Sequence, residues 1–402
     1  MPGRRSALYI FLVVTLLLGV WLGHPMFFNL LYLALGLLIV SLVWTWSGVF
    51  GLHVERRPHA RRSQVGRVVD ETLSVRNRSL FPRLWLEVRD HSTLPAHQPG
   101  QVLVNIPPRG QREWTARTLC TLRGLYRLGP TTLVSGDPFG FFEARRHLPA
   151  ASEILVYPET VPLHDFAPSA GRLPGGESRR QAAHFITPNA AGVRDYVPGD
   201  SLNRIHWLST ARRSRLTAKE FEMDPLADIW IVLDNARQVH PESIIPAFST
   251  EEWAVKIAAS VAQHFLDAQR TVGFITYAPQ RAVLQPDRGV RQSTRVLELL
   301  AMTTASGQIA LHDLLGLEGA RFTRGTTLVI VTPSVDPRWV GAVRRLDHKG
   351  VHVVVVLIDV ASFGGAAGAD VVQPLRAAGV LVYVVRQGDD LRTVLSGRPA
   401  AR

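Results

Sequence analysis

Between Arg5 and Glu55 the chain carries no Asp, Glu, Lys or Arg. A stretch that long without fixed charge constrains the fold more than any other feature of the 402 residues. Ala7 to Gly23 is one apolar run and Met26 to Ser47 a second, broken by Gly23-His24-Pro25, a tripeptide that cannot continue a helix. A bilayer span needs about 20 apolar residues for a hydrocarbon core of about 30 Å. The second run meets that length and the first is short but within range. No small-x-small cleavage site follows the first run, so a two-span hairpin is expected rather than a removed signal peptide. Arg4 and Arg5 precede it, and Arg56, Arg57, Arg61 and Arg62 follow it. The positive-inside rule then puts both termini in the cytoplasm. The bilayer is thus an expected partner through residues 7–23 and 26–47.

The net charge of +12 raises nucleic acid or an anionic surface as a partner. Lys219, Lys256 and Lys349 are the only lysines among 45 basic residues, and the arginines are scattered as doublets rather than gathered in a block. A nucleic-acid footprint clusters its cations, so no specific nucleic acid is expected. The single cysteine, Cys120, excludes a disulfide framework and any all-cysteine metal site within the chain. It lies in an alternating run and reads as a core residue in mid-strand.

From His53 to about Glu159 the period is two. Leu84, Leu86 and Val88 alternate with Trp85, Glu87 and Arg89, while Val102, Val104 and Ile106 alternate with Leu103 and Asn105. Turn clusters separate these runs, which predicts a β-sandwich over 53–160, after a transmembrane helical hairpin over 1–52. Pro162, Pro168, Pro174 and Gly171 to Gly176 mark a linker over 161–190. Beyond it, 191–402 alternates continuous apolar runs with amphipathic segments. The runs begin at Ile229, Val272, Thr327, His352 and Val380; the segments cover Glu251 to Arg270, Val290 to Met302 and Pro337 to His348. That alternation predicts a doubly wound α/β domain with a parallel sheet.

Ligands of such sheets sit at the carboxyl ends of the strands. The first strand ends at Asp234, but Ala236 and Gln238 stand where hydroxyls would complete a magnesium site. Asp336 is the nearest further carboxylate on the neighbouring strand's loop. A degenerate site at Asp234 is expected, with no metal and no cofactor. The densest polar stretch is Gly192 to Glu222. Asp200 or Ser201 is placed to cap a helix from Leu202. Arg194, Asp195, Asp200 and Arg204 read either as an ion network or, with Arg212 and Arg213, as a binding surface. His206 has no nearby Ser, Cys or paired carboxylate in that reading. No GxxxxGK[ST], HExxH or GxSxG motif occurs.

Three strings carry a resemblance: Arg123-Gly124-Leu125-Tyr126-Arg127-Leu128-Gly129-Pro130, then Asp137-Pro138-Phe139-Gly140-Phe141-Phe142, and above all Arg194-Asp195-Tyr196-Val197-Pro198-Gly199-Asp200 with Arg204-Ile205-His206-Trp207 and Ala211-Arg212. With these the chain resembles the bacterial membrane proteins grouped as domain of unknown function 58 (DUF58). The resemblance implies two membrane helices, a β-sandwich and a von Willebrand factor A-like α/β domain at a bacterial inner membrane. It also implies partnership with a MoxR-type AAA+ ATPase. It makes Arg194, Asp195, Tyr196, Gly199, Asp200, Arg204, His206, Trp207 and Arg212 the partner-binding or structural signature. A non-enzymatic interaction and assembly factor is the expectation; the alternative is a hydrolase or transferase using the Gly192–Glu222 segment and Asp234.

Overall fold

Apolar residues in two short-turned runs coil into two helices at the amino terminus, α1 (Pro2–Leu22) and α2 (Pro25–Val49). The computed structural model describes residues 2–149, 151–163, 166, 190–197, 205–221 and 228–396. Gly23 turns the chain at φ 64°, and the His24 side chain caps α2 by accepting the Met26 amide. Among the described residues one helix, α2, is long and apolar enough to cross a membrane, with a mean hydropathy of 2.4; Ser6–Leu22 forms a shorter apolar helix.

The chain divides into two compact units, residues 1–159 with 297–303, and residues 160–296 with 304–402. In the first, the period-two region forms ten strands: β1 (Leu52–Pro58), β2 (Arg62–Gln64), β3 (Val68–Asn77), β4 (Arg83–Asp90), β5 (Gln101–Ile106), β6 (Gln111–Leu119), β7 (Gly124–Leu128), β8 (Thr131–Gly136), β9 (Glu143–Leu148) and β10 (Ser152–Tyr157). They make three sheets, ordered β1-β3-β6, β5-β4-β8-β9 and β2-β10-β7. Leu52, Val75, Leu86, Val88, Leu103, Ile106 and Leu133 form one core cluster; Val69, Leu94, Cys120, Leu128, Ile154 and Val156 form another. Cys120 is fully buried as expected, though just past the end of β6 rather than mid-strand.

Strict alternation fails on β4 and β5. Leu84 faces out while Arg83 is buried, and on β5 Leu103 and Ile106 reach the core while Val102 and Val104 do not. Asn105 sits opposite this break with φ 52°, a left-handed residue that rotates the strand and shifts the inward set by one.

The second unit begins with a hairpin of β11 (Ala190–Asp195) and β12 (Thr217–Phe221), with α3 (Trp207–Arg213) between them. There follow β13 (Ile229–Leu233), α4 (Thr250–Asp267), β14 (Val272–Tyr277), β15 (Arg281–Asp287), α5 (Val290–Met302), α6 (Leu311–Glu318), β16 (Thr327–Thr332), α7 (Arg338–His348), β17 (His352–Ile358), α8 (Val372–Ala377), β18 (Leu381–Val385) and α9 (Leu391–Ser396). One six-stranded sheet runs β15-β14-β13-β16-β17-β18. Every neighbouring pair is parallel except β14 and β15, so the expected all-parallel sheet has an antiparallel edge. The sequence hides β15 because its residues are mostly half-exposed, as befits an edge strand covered on one face. At the sheet's centre Gly273 lies beneath the Trp230 ring, where a Cβ would come within 2.7 Å of it.

At the start of the expected linker, Leu163 and Phe166 are buried on α4; the Leu163 carbonyl contacts His264 Nδ1 at 2.7 Å. Residues 167–189 of that linker lie outside the described residues.

Candidate functional site

The sheet order reverses between β13 and β16, which opens a crevice at their carboxyl ends. Asp234 ends β13 there and is 1% exposed. Its Oδ2 accepts the Thr332 hydroxyl from the end of β16 at 2.7 Å, and its Oδ1 accepts the Ala236 amide at 3.2 Å. Burial pushes its pKa up, partly offset by those two donors. Thr332 Oγ1 in turn accepts the Ser334 amide.

The crevice floor is closed by backbone. Gly307 donates to the Asn235 carbonyl, and the Arg237 amide donates back to Gly307. A Cβ at Gly307 would lie 2.1 Å from the Tyr277 carbonyl oxygen, so only glycine lets the strands' loops approach this closely. Asp336, the other carboxylate in reach by sequence, is turned to the amide and guanidinium of Arg338. Among the described residues no three His, Cys, Asp or Glu side chains gather in metal-holding geometry. The arrangement around Asp234 is that of a structural clasp: each oxygen holds one strand end or loop.

Beside this edge lies a shallow depression of about 480 Å³, whose lining includes Arg237, His240, Glu242, Ser249, Glu251 and Glu252. The loop that walls it exposes Ile244 completely and leaves Ile245 and Phe248 more than half exposed. Three neighbouring carboxylates stand out on a chain of net charge +12. Sequence reasoning missed this loop. Its signal was an Ile-Ile-Pro-Ala-Phe string outside any periodic element.

The signature segment is held differently from the expectation. Ile205 is buried in a β-bridge, and the His206 amide donates to the Thr217 carbonyl, which pins the chain to β12. The expected helix therefore does not include Ile205: α3 starts at Trp207, and the expected start at Leu202 lies outside the described residues. His206, not Asp200 or Ser201, is its cap: Nδ1 accepts the Ser209 amide at 3.1 Å and lies 2.8 Å from the Ser209 hydroxyl. That corrects the reading that no serine stands near His206. The single Nδ1 lone pair is already taken by the helix amide, so the contact is a cap and not a base poised on a nucleophile.

Asp195 pairs with Arg215 at 3.0 Å, and both are largely exposed. The Tyr196 amide donates to the Leu216 carbonyl. Trp207 and Arg212 face outward from α3. Arg194 is placed in β11 opposite Ala218. Gly199, Asp200 and Arg204 lie outside the described residues.

Residues 192–362, which take in the signature segment and most of the α/β sheet, match the family model described as "Protein of unknown function DUF58". The chain is 24% identical over 183 residues to "Uncharacterized protein YeaD" of Bacillus subtilis (strain 168), a stretch covering 45% of this chain and 43% of that one. The chain thus spans less than half the length of this curated relative. Similar solved structures include proximal thread matrix protein 1 from the mussel byssus, at 13% identity and TM-score 0.31, covering 42% of this chain and 46% of that one. The CARDB domain of the PF1109 protein from Pyrococcus furiosus has 16% identity and TM-score 0.21, covering 26% of this chain and 91% of the domain.

Proposed function

We propose that this chain is a membrane-tethered, non-enzymatic interaction factor whose α/β unit, of the von Willebrand factor A-like type, binds a MoxR-type AAA+ ATPase in the cytoplasm. One observation carries the reading. At the sheet edge where doubly wound folds take ligands, both Asp234 carboxylate oxygens are tied into the fold, whereas Ile244, Ile245 and Phe248 stand exposed beside Glu242, Glu251 and Glu252. An apolar cluster with a charged rim is the anatomy of a protein-binding surface. The reversal of strand order between β13 and β16 and the Asp at the end of β13 support the von Willebrand factor A-like assignment.

Tethering is by a two-span hairpin at a bacterial inner membrane, with both termini cytoplasmic. The charge-free window and the arginines on its two flanks support this topology. Photo-crosslinkers at Ile244 and Phe248 in native membranes test the function. The expected product is one stoichiometric adduct with an AAA+ ATPase, and recovery of no such adduct overturns the reading. Reporters fused at the carboxyl terminus and in the His24 turn should give cytoplasmic and external signals respectively.

A further inference from the structure

In the last turns of α2 the two sides of the helix meet different surroundings. Ser41 and Thr45 are buried against the β unit, and a Cβ at Gly48 would lie 2.9 Å from Ser135 Oγ on β8. On the other side of the same turns Val40, Val43 and Trp46 are 58%, 59% and 68% exposed. A bare apolar helix face belongs in lipid. If Ser41 to Val49 stood in water, Pro25 to Val40 would leave about 24 Å of helix for a core of about 30 Å. The part of the β unit that covers these turns therefore sits at membrane depth.

That part is the tip of the β8–β9 hairpin, residues 137–142. From Ser135 against Gly48, the chain reaches Asp137 beside Ser41, two turns further toward the bilayer. The tip is built for such a place. Asp137 is buried, and its carboxylate accepts the amides of Phe139 and Phe142, which folds its charge inside the loop. Outside stands Phe139, 45% exposed, with the half-buried Phe141 ring stacked on it at 5.9 Å. On the same sheet Trp85 and Val104 pair across β4 and β5 and both face outward, with Trp85 beside Gly136 at the base of the tip. At the carboxyl end of α2, Arg83 donates to the Phe50 carbonyl and Arg146 to those of Val49 and Leu52. Cations on the last carbonyls lock helix to sheet and mark the watery side.

We propose that the Phe139–Phe141 hairpin tip, with Trp85 and Val104 behind it, is a second membrane contact, seated in the acyl-headgroup boundary of the lipid surface that α2 crosses. It rests on the reading of α2 as a span. Aromatic rings at that level, on a body held rigidly by α2, fix how the β unit meets the bilayer.

Spin labels on the full-length chain in phosphatidylethanolamine–phosphatidylglycerol vesicles test it, at Phe139→Cys, Val104→Cys, Val43→Cys on the outer side of α2, and Glu113→Cys on exposed β6. Native Cys120 is fully buried and stays unlabelled. At 139 and 104 the ratio of oxygen to nickel-chelate collisions should be several-fold above that at 113 and close to that at 43. Position 43 in lipid with 139 and 104 equal to 113 overturns the proposal and leaves the span standing. Position 43 itself in water overturns both. Labels at 139 shielded from both reagents mean that protein covers the tip, which also overturns it.

Discussion

The two units bury their charges in opposite ways. In the β unit a guanidinium, two carboxylates and an imidazole lie inside the protein. Arg56, 6% exposed at its side chain, donates to both Glu71 oxygens at 2.9 and 2.8 Å and reaches Asp90, Thr131 and Ser92. His97 bridges Glu71 and Thr118. In the α/β unit one apolar cluster of 23 buried residues fills one side of the sheet. There the buried Glu318 pairs at the rim, with Tyr277, Arg281 and Arg321, two of which keep contact with solvent. The difference follows from core size. Two clusters of seven and six buried residues, divided among three sheets, leave a seam that the apolar side chains do not close, and a satisfied ion network closes it. The α/β core has no such seam: apart from Asp234, clasped at the end of β13, its carboxylates and guanidinium groups stay at the margin.

Glu71 carries most of the buried network of the β unit. Burial opposes its charge, but hydrogen bonds from His97 and Arg56 outweigh that and hold its pKa low. Glu71→Ala leaves Arg56 buried beside Asp90 alone, and should cost about 3–5 kcal/mol in denaturant unfolding of the full chain in detergent. A loss under 1 kcal/mol would mean the seam is wet and the contrast between the units false. Next in size is Gly307→Ala, where the backbone clash with the Tyr277 carbonyl should cost about 2–3 kcal/mol or more and lower the α/β transition alone. Thr332→Val leaves an Asp234 oxygen buried without its donor. It should cost about 1–3 kcal/mol, read in the same transition.

Glu318, at the rim of the α/β unit, responds to pH. Its pKa is held down to about 2, chiefly by the Arg281 hydrogen bonds, from an ordinary value of 4.5. The folded state thus binds the proton more weakly than the unfolded chain does. The stabilisation is fully present above pH 4.5 and is lost as pH falls through about 2. Because Arg281 is half-exposed, the effect should be about 1–2 kcal/mol after solvent screening. Glu318→Gln should flatten the acid limb of a melting-temperature profile between those values. Smallest is Arg215→Ala. Its partner Asp195 is over half exposed, and loss of the pair should change stability by at most about 1 kcal/mol.

Much of this was legible in the residues themselves. Five apolar runs gave five of the six strands of the α/β sheet, because a strand covered on both faces needs unbroken apolar sequence. The edge strand β15 was not legible, since its alternation is weak and a Pro lies within it. Nor was the phase of β5, which a left-handed Asn105 resets. At the candidate site, sequence placed Asp234 correctly at a strand end. It misplaced the start of α3 because the anchor, the Thr217 carbonyl, lies eleven residues from His206 and on another strand.

By itself, then, the sequence determined what depends on near neighbours: the charge-free window, the break at Gly23-His24-Pro25, the change of period, and the residues that follow Asp234. Only the tertiary structure decided which charges lie inside, since Arg56, Glu71, Asp90 and His97 meet across sheets with nothing local to announce them. It likewise decided that Ser135 and Asp137 at the base of the β8–β9 tip pack beside Gly48 and Ser41 of α2. The physical reason is the same in both cases. Burial and depth are properties of what packs against a residue, and those partners are set by the topology of the sheets rather than by spacing along the chain.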